Sequence, residues 1–268
     1  MASGSVMAVV AGACFLLASL TFARGWRAGA WLAAAGTAIL TGALAARGLR
    51  SGHWPLASQY EFALAFALAT ALAALVPTTR TRLRFPFVQA ATMFTAALLV
   101  AYARFVVPAA MQATRPLPPA LDSVWLPLHV GTTALAYGAL ALAGAAGLAW
   151  LLDEHLPSKA EGLRRTDTEW LLDRAIAAGF PLLTLSMILG MIWAQVAWGR
   201  YWGWDLKEVW TLITWLVYAL YWHVRRWPRW QGRRLPCLAL IGLASVLLTF
   251  LGVGWLARTV GLESLHLF

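Results

Sequence analysis

The sequence predicts an all-α integral membrane protein that crosses the bilayer about eight times. Of its 268 residues, 61% are hydrophobic and 12% are charged, whereas a soluble domain is about half apolar and about a quarter charged. Apolar runs of spanning length recur along the chain, because about 20 residues at a rise of about 1.5 Å each cross a hydrocarbon core. The composition and these runs together exclude a water-soluble fold.

Eight apolar runs each predict one transmembrane helix. The first also suits the apolar core of a signal peptide, but no basic residue precedes it and no small-residue cleavage site leads into a soluble region, so we expect it to remain as a helix. The third and seventh runs are the shortest. The predicted spans cover residues 5–23, 28–46, 62–76, 87–107, 126–152, 176–197, 209–221 and 235–256.

The loops between these spans differ in charge, and the difference predicts the topology. Fourteen of the 21 basic residues fall in alternate loops, at residues 24–27, 80–84, 159–174 and 225–234. The positive-inside rule places these loops in the cytoplasm. Both termini and the remaining loops then lie outside. The net charge of +10 is explained by this topology and gives no reason to expect nucleic acid.

The connecting segments are too short to fold alone. The longest, residues 153–174, mixes acidic and basic side chains and predicts a solvated connecting helix. We therefore expect a single membrane domain over residues 1–268. Cys14 and Cys237 lie in or at the end of different spans and form no Cys-x-x-Cys pair, so we interpret both as small buried apolar residues.

Tryptophan is concentrated in one segment, over about residues 193–223. Nine of the 16 tryptophans fall between Trp193 and Trp230, and three share one outer loop, namely Trp198, Trp202 and Trp204. An aromatic belt at the membrane interface explains some of the others. It does not explain three rings on one loop with glycines between them, which leave room for a flat ligand to approach the backbone. We favour a binding site over a belt, because apolar walls with a few polar groups are typical of ligand pockets.

Two histidines flank this loop and suggest heme, a planar macrocycle whose iron takes imidazole ligands. His129 begins the fifth predicted span and His266 follows the eighth, so both lie at the outer face. Each also has an ordinary role open to it, since His129 can bond a carbonyl at a helix start and His266 can be a solvated tail residue. The residue types thus indicate a heme held by two imidazoles, with the rings of the tryptophan loop stacked against it.

A third histidine, His223, predicts a separate site. It lies roughly 15 residues beyond Glu208, which is about 22 Å along a helix, so it cannot share an iron with the outer pair. A histidine in or near a span is costly and is therefore a functional candidate, although it can also extend toward Arg225. We interpret it as the ligand of a second, inner heme, and we interpret His53 and His155 as structural or solvated residues.

Charged residues at the start of the seventh span complete the candidate site. Asp205 suits the N-terminus of a helix, where it caps the chain and interacts favourably with the helix dipole, and it can also orient a ring or a ligand. Arg200 and Lys207 are placed to pair with the two propionates of heme. No side chain is an evident acid or base for a catalytic step.

One long segment resembles a known signature. Residues 198–215 read Trp-Gly-Arg-Tyr-Trp-Gly-Trp-Asp-Leu-Lys-Glu-Val-Trp-Thr-Leu-Ile-Thr-Trp, and Tyr218, Tyr221 and His223 follow. This resembles the WWD signature of heme-handling proteins, and in particular that of the CcsA (ResC) cytochrome c biogenesis family. Residues 52–61 and 119–130 are similar to the same family, so the likeness extends over most of the chain. The chain departs from the family after His266, which is followed by Leu-Phe where Ser-Tyr is usual.

The resemblance implies a function in the maturation of cytochrome c. Proteins of this family, with a CcsB (ResB) membrane partner, receive heme b from the cytoplasmic side and attach it outside to the Cys-x-x-Cys-His motif of apocytochrome c. Two thioethers are formed. The resemblance further implies that His129 and His266 ligate the external heme and that His223 ligates an inner one, whose second ligand the partner must supply. The chain is then part of a holocytochrome c synthetase, or heme lyase, complex.

Other functions stay open at this point. A heme-delivery subunit like CcmC shares the WWD segment but has fewer spans. A regulator of the HemX type keeps the outline of the fold and loses much of the tryptophan motif. A cytochrome b needs paired histidines on the same spans, which this sequence lacks. A membrane transporter or scaffold, whose tryptophans only anchor it, is the alternative from a different class.

Overall fold

The computed structural model describes residues 2–80, 85–114, 117–119, 121–152 and 165–253. Over these residues the regular structure is helical, as the sequence predicts. The α-helices of this part of the chain are α1 (Ala2–Ala23), α2 (Ala28–Ser51), α3 (Gln59–Arg80), α4 (Pro86–Ala101), α5 (Ala109–Gln112), α6 (Trp125–Leu152), α7 (Arg165–Trp198), α8 (Leu206–Val224) and α9 (Arg234–Leu247). Two π-helical turns extend α4 over Tyr102–Val106 and α9 over Leu248–Gly252, and a 3₁₀ turn covers Pro228–Trp230.

Seven of these helices are long and apolar enough to cross a membrane, namely α1, α2, α3, α4, α6, α7 and α9. They coincide with seven of the predicted spans, which confirms an all-α, multi-pass membrane protein. The remaining predicted span is α8, which has 19 residues. It is less apolar, because Lys207 and Glu208 begin it, His223 lies near its end and tryptophan and tyrosine recur within it. That α8 crosses the membrane stays a prediction.

Two hydrogen bonds show how α8 lies against α7. The indole N–H of Trp215 donates to the Thr184 hydroxyl at 2.9 Å, and the hydroxyl of Tyr221 donates to the Asp173 carboxylate at 2.7 Å. Residue numbers that increase along α8 therefore pair with residue numbers that decrease along α7. The two helices run antiparallel, side by side.

Helix α7 is longer than the sequence predicts. It has 34 residues and begins at Arg165, whereas the predicted span begins at residue 176. At about 1.5 Å per residue this is about 51 Å, against about 30 Å for a hydrocarbon core. The described part of the predicted connecting helix is thus continuous with the span. Thr168, Leu171 and Leu172 on these added turns are buried, so that stretch packs on one face.

Helix α6 lies at the centre of the bundle, where it packs against α3, α4, α7 and α9. Alanine and glycine fill much of its length, and such small residues let helix backbones approach closely. At Gly138 a Cβ atom would lie 2.5 Å from the backbone carbon of Ala69 on α3, so only glycine fits that crossing. Helices α1, α2 and α4 pack together beside this centre.

The two ends of the bundle carry different residues. At one, which we call the tryptophan end, residues 56–59, Met111 and Trp202 line one cavity. At the other, which we call the basic end, Arg225 pairs with Asp173. Loops that the charge pattern assigns to the same side of the membrane therefore meet at the same end.

Candidate functional site

A cavity of about 400 Å³ opens at the tryptophan end of the bundle, and we call it the main cavity. Its walls are residues 56–59, the first turns of α6, the last turns of α7, the loop into α8 and the end of α9. Most of the lining is apolar, and a few polar side chains converge on it. This lining and volume are typical of a small-molecule site, for which about 300–1,000 Å³ is usual.

His129 lies on the second turn of α6, in the wall of the main cavity. Its Nδ1 atom lies 2.8 Å from the backbone oxygen of Ser186 on α7. A carbonyl only accepts, so Nδ1 donates its proton and the lone pair of the neutral ring is on Nε2. Imidazoles that ligate a metal are usually held in this way, by a bond from their other nitrogen to a carbonyl or carboxylate. His129 is thus in the tautomer that an iron ligand needs.

Neighbours on α7 fix the orientation of this ring. Trp193 lies parallel to it, with 6.2 Å between the ring centroids and 7° between the planes. At Gly190 a Cβ atom would lie 2.8 Å from Cε1 of His129, so the ring occupies the space that the glycine leaves. Ser186 also hydrogen-bonds through its hydroxyl to Thr133, one turn beyond His129. The sequence predicted the histidine but not these contacts, because Ser186 is 57 positions away along the chain.

The three tryptophans of the loop have different surroundings. Trp202 lines the main cavity, and its buried indole N–H has no acceptor among the residues that the structure describes. Trp204 meets Trp202 edge to face at 5.8 Å, but its side chain is 71% exposed. Trp198 packs edge to face on Trp193 at 4.7 Å, outside the cavity lining. Of the predicted stacking rings, the structure therefore brings only Trp202 into the cavity wall, where Tyr201 accompanies it.

A capping box sets the shape of this loop where it enters α8. The Asp205 carboxylate accepts from the backbone N–H of Lys207 at 2.9 Å. The Glu208 carboxylate accepts from the backbone N–H groups of Asp205 at 3.1 Å and Gly203 at 2.8 Å. Such reciprocal caps satisfy the free donors of a helix start. Asp205 is therefore a cap, as the sequence predicts. We call Glu208, which binds the backbone on both sides of Trp204, the clamp. The sequence analysis missed this role, although the three-residue spacing from Asp205 is typical of a capping box.

Trp204 has a positive φ of 58°, in the left-handed region that favours glycine. A bulky residue in this region is uncommon, because the conformation costs about 1–3 kcal/mol and persists only where its surroundings impose it. The two bonds that Glu208 accepts flank Trp204 in the chain. The clamp thus holds the turn that directs Trp202 inward and Trp204 outward.

The two predicted partners of the propionates are also separated. Lys207 lines the main cavity, and no carboxylate in the described ranges lies within ion-pair distance of its ammonium group. Arg200 is exposed, and its guanidinium lies against Gly203 rather than in the cavity lining. Of these two residues, Lys207 alone is in position to meet an anionic group of a ligand in the cavity.

The remaining histidines lie elsewhere. His223 is exposed near the basic end of α8, with its ring edge to face on Trp227 at 5.1 Å. His53 lies in the loop between α2 and α3. His266 and His155 lie outside the described residues, so the structure brings one of the two predicted outer ligands to the cavity.

Several lining residues carry no signal in a single sequence. Met187 and Met191 lie one helical turn apart on α7 and face the cavity, where their thioethers add soft, polarizable groups. Phe250 and Thr249 reach it from the π-helical turn that ends α9. Methionine and aromatic residues occur throughout apolar spans, so only the fold distinguishes these from ordinary packing residues.

Comparisons with known proteins bear on the same region. A family model described as cytochrome C assembly protein matches residues 56–260. The cytochrome c biogenesis protein CcsA of Prochlorococcus marinus strain MIT 9313 is 35% identical over 265 residues, which cover 87% of this chain and 82% of that protein. CcsA of Gloeobacter violaceus is 34% identical over 283 residues, with 84% of this chain and 82% of that protein covered. Every lining residue of the main cavity falls within the matched range.

A solved structure is similar in fold. The cytochrome c heme lyase CcmF superposes with a TM-score of 0.64 at 20% sequence identity, and the match covers 97% of this chain and 49% of that one. This chain thus spans about half the length of CcmF. At this identity the likeness concerns the arrangement of helices.

Proposed function

This chain belongs to the cytochrome c assembly protein family, among its CcsA members, and we propose that it binds heme in the main cavity and presents it for attachment to apocytochrome c. It is a multi-pass membrane protein that acts in cytochrome c maturation by handling heme. The observation that carries the proposal is the cavity itself, where His129 in the ligating tautomer, Trp202 and Lys207 meet.

The lining fits heme b as a substrate. Apolar walls and the Trp202 indole suit the faces of a porphyrin, and Nε2 of His129 suits its iron. Lys207, which has no ion pair in the described part of the chain, suits a propionate, and the buried N–H of Trp202 offers that oxygen a second donor. Arg200 would pair with the second propionate only if its side chain turned inward. His266 is proposed as the second axial ligand.

The contribution to attachment is positioning. A ring held by its iron and its propionates leaves its vinyl edge to face incoming thiols, and holding two reactants in register removes much of the entropic barrier of a bimolecular step. Apolar walls exclude water from the site. The chain would work within a heme lyase complex with a CcsB-like membrane partner and with apocytochrome c carrying a Cys-x-x-Cys-His motif.

A second, inner heme position is proposed at His223. This residue lies at the basic end, near Arg225 and Trp227, whereas the main cavity is at the tryptophan end. Its exposure on α8 suits a heme shared with a partner subunit, which would supply the second ligand. Heme would then pass from the cytoplasmic side to the outer site, with the tryptophan end facing the periplasm of a bacterial inner membrane.

The test is the absorption spectrum of the detergent-purified chain, co-expressed with a CcsB-like partner under heme-sufficient, reducing conditions. We expect a Soret band in the wild type, a loss of most outer-site heme in His129→Ala and partial recovery when imidazole is added. His223→Ala should lower outer loading without imidazole rescue. A wild type without heme, or a His129→Ala variant with normal heme content and normal cytochrome c maturation, would refute the proposal.

A further inference from the structure

A second cavity, of about 590 Å³, lies beside the main one. One of its walls is the loop that carries His53, and the facing wall is the segment that leads into α6. The same side chains line both cavities where they meet: Leu56, Ala57, Leu121 and Leu126. The two cavities are therefore adjacent, and small and aliphatic side chains line the junction between them.

Two polar side chains of the second cavity, His53 and Asp122, offer hydrogen-bond acceptors, while the Trp54 indole and the Ser123 hydroxyl in the same lining can donate to peptide carbonyls. Nδ1 of His53 donates to the backbone oxygen of Trp54 at 2.8 Å, so the lone pair of the neutral ring is on Nε2. Asp122 lines the same cavity, and its carboxylate forms no ion pair with the residues that the structure describes. The main cavity presents the ammonium group of Lys207, and the carboxylate of Glu208, which also lines it, accepts from the backbone N–H groups of Gly203 and Asp205. Lys207 therefore suits an anionic group of a ligand in the main cavity, and His53 and Asp122 suit groups that donate hydrogen bonds in the second cavity.

Heme attachment needs two such ligands side by side. Each thioether forms when a cysteine S–H adds across a vinyl C=C bond: sulfur bonds to the carbon next to the ring, and the hydrogen goes to the terminal carbon. No electron is gained or lost, so no oxidant is consumed. The thiols must lie against the vinyl edge while the propionates are held elsewhere, and the thiols and backbone N–H groups of an extended peptide are all donors.

We propose that the second cavity binds the Cys-x-x-Cys-His segment of apocytochrome c, with His53 and Asp122 accepting hydrogen bonds from its thiols and backbone. The inference rests on the proposed function, since it takes heme in the main cavity as the other substrate. Leu56, Ala57, Leu121 and Leu126 then line the junction at which the thiols and the vinyl edge come into contact. His53 acquires a role that the sequence alone did not assign to it.

The test fills the second cavity without touching the first. Val124 lines only the second cavity and is 73% exposed, so Val124→Trp adds bulk there with little risk to folding. Val106 is 64% exposed and lines neither cavity, which makes Val106→Trp the matched control. The probe is a fluorescent peptide with Ser-x-x-Ser-His in place of the reactive motif, titrated onto the full chain with its partner. We expect the Kd of Val124→Trp to rise about tenfold or more, with the Soret band unchanged and Val106→Trp like the wild type.

A pair of conservative variants tests the acceptor on His53. In His53→Asn the amide N–H can keep the bond to the Trp54 carbonyl, but nothing replaces Nε2. In His53→Gln a polar atom reaches the Nε2 position. We expect His53→Asn to lose more peptide affinity and more thioether formation with a Cys-x-x-Cys-His peptide than His53→Gln, at equal heme content.

The outcomes separate the inference from the function on which it rests. If the wild type holds heme and binds peptide, and both Val124→Trp and His53→Asn bind it as tightly, the second cavity is not the peptide subsite. If the wild type holds no heme, the proposed function fails, and the peptide titrations on the same samples still decide whether the second cavity takes the segment.

Discussion

At the scale of single residues, the candidate site depends on how one imidazole is held. The carbonyl of Ser186 fixes the tautomer of His129, the ring of Trp193 fixes its plane, and the missing side chain of Gly190 gives it space. Each contact comes from α7, whereas the histidine is on α6. The geometry of the proposed iron ligand is therefore a property of the α6 and α7 crossing rather than of His129 alone.

This dependence predicts the effect of a methyl group at residue 190. Gly190→Ala places a Cβ atom 2.8 Å from the ring of His129, whereas Gly131→Ala, two residues from His129 on α6, would meet only Leu56 at 3.8 Å. Overpacking a tight contact costs about 1–3 kcal/mol, which corresponds to heme binding weaker by about fivefold to 150-fold. We expect hemin titration of Gly190→Ala to show that loss and Gly131→Ala to bind like the wild type. Equal affinities in the two variants would mean that the ring has room to move.

A single sequence predicts which residue types form the site better than it predicts which of their side chains point into the cavity. The tryptophan loop, the Asp205 cap and His129 were all evident from composition and spacing. Which of the three loop tryptophans lines the cavity was not, because that depends on the left-handed turn at Trp204 and on the bonds that Glu208 accepts. Lys207 and Arg200 were indistinguishable for the same reason.

At the scale of elements, one buried ion pair joins three of them at the tryptophan end. Nε of Arg47 on α2 lies 2.6 Å from the carboxylate of Glu61 on α3, which is 2% exposed. The same guanidinium donates to the backbone oxygen of Gln112 in α5 at 2.8 Å. The second carboxylate oxygen accepts from the backbone N–H of Ala57 at 2.8 Å. Residues 56–59 line the main cavity, and Leu56 and Ala57 also line the second one. The ion pair therefore stabilises a wall of the proposed site.

The pair at the basic end provides a comparison for it. Arg225 and Asp173 are 24% and 33% exposed, against 14% and 2% for Arg47 and Glu61. Removing one partner of a buried pair costs about 3–5 kcal/mol, whereas solvent reduces a more exposed pair to roughly 1 kcal/mol or less. We expect Arg47→Met to lower the Tm in detergent clearly and to weaken heme binding, and Arg225→Met to lower the Tm only slightly. A larger loss of stability in Arg225→Met would contradict this ranking by burial.

At the scale of the whole molecule, the fold was predictable where its signal is local. Length and apolarity identify α1, α2, α3, α4, α6, α7 and α9 in any sequence window, and all were predicted. The start of α7 at Arg165 was missed because the charged residues of its first turns lower the mean apolarity there, although Leu171 and Leu172 among them are buried. The position of helix α8 was predicted. Its polar first turn and its aromatic residues make it less apolar than the seven helices named above.

The arrangement of the helices predicts that α8 crosses the membrane. Lys207 lines the main cavity at the tryptophan end, Trp215 meets Thr184 and Tyr221 meets Asp173 at the basic end, so α8 lies along α7 from one end of the bundle to the other. If α7 spans the membrane, α8 must span it too, and Trp54 and Arg226 must then lie on opposite faces. Both side chains are exposed, which makes them suitable for labelling.

Single cysteines at residues 54 and 226 show directly on which face of the membrane each position lies. In a Cys14→Ala, Cys237→Ala background, we expect a membrane-impermeant maleimide to label Trp54→Cys in intact cells and Arg226→Cys only after permeabilisation. Tyr201→Cys, in the loop before α8, should label like Trp54→Cys, because Tyr201 and the loop that carries Trp54 lie at the same end. Equal labelling of Tyr201→Cys and Arg226→Cys in intact cells would place both ends of α8 on one face. Heme could not then pass from His223 on one face to His129 on the other along this helix.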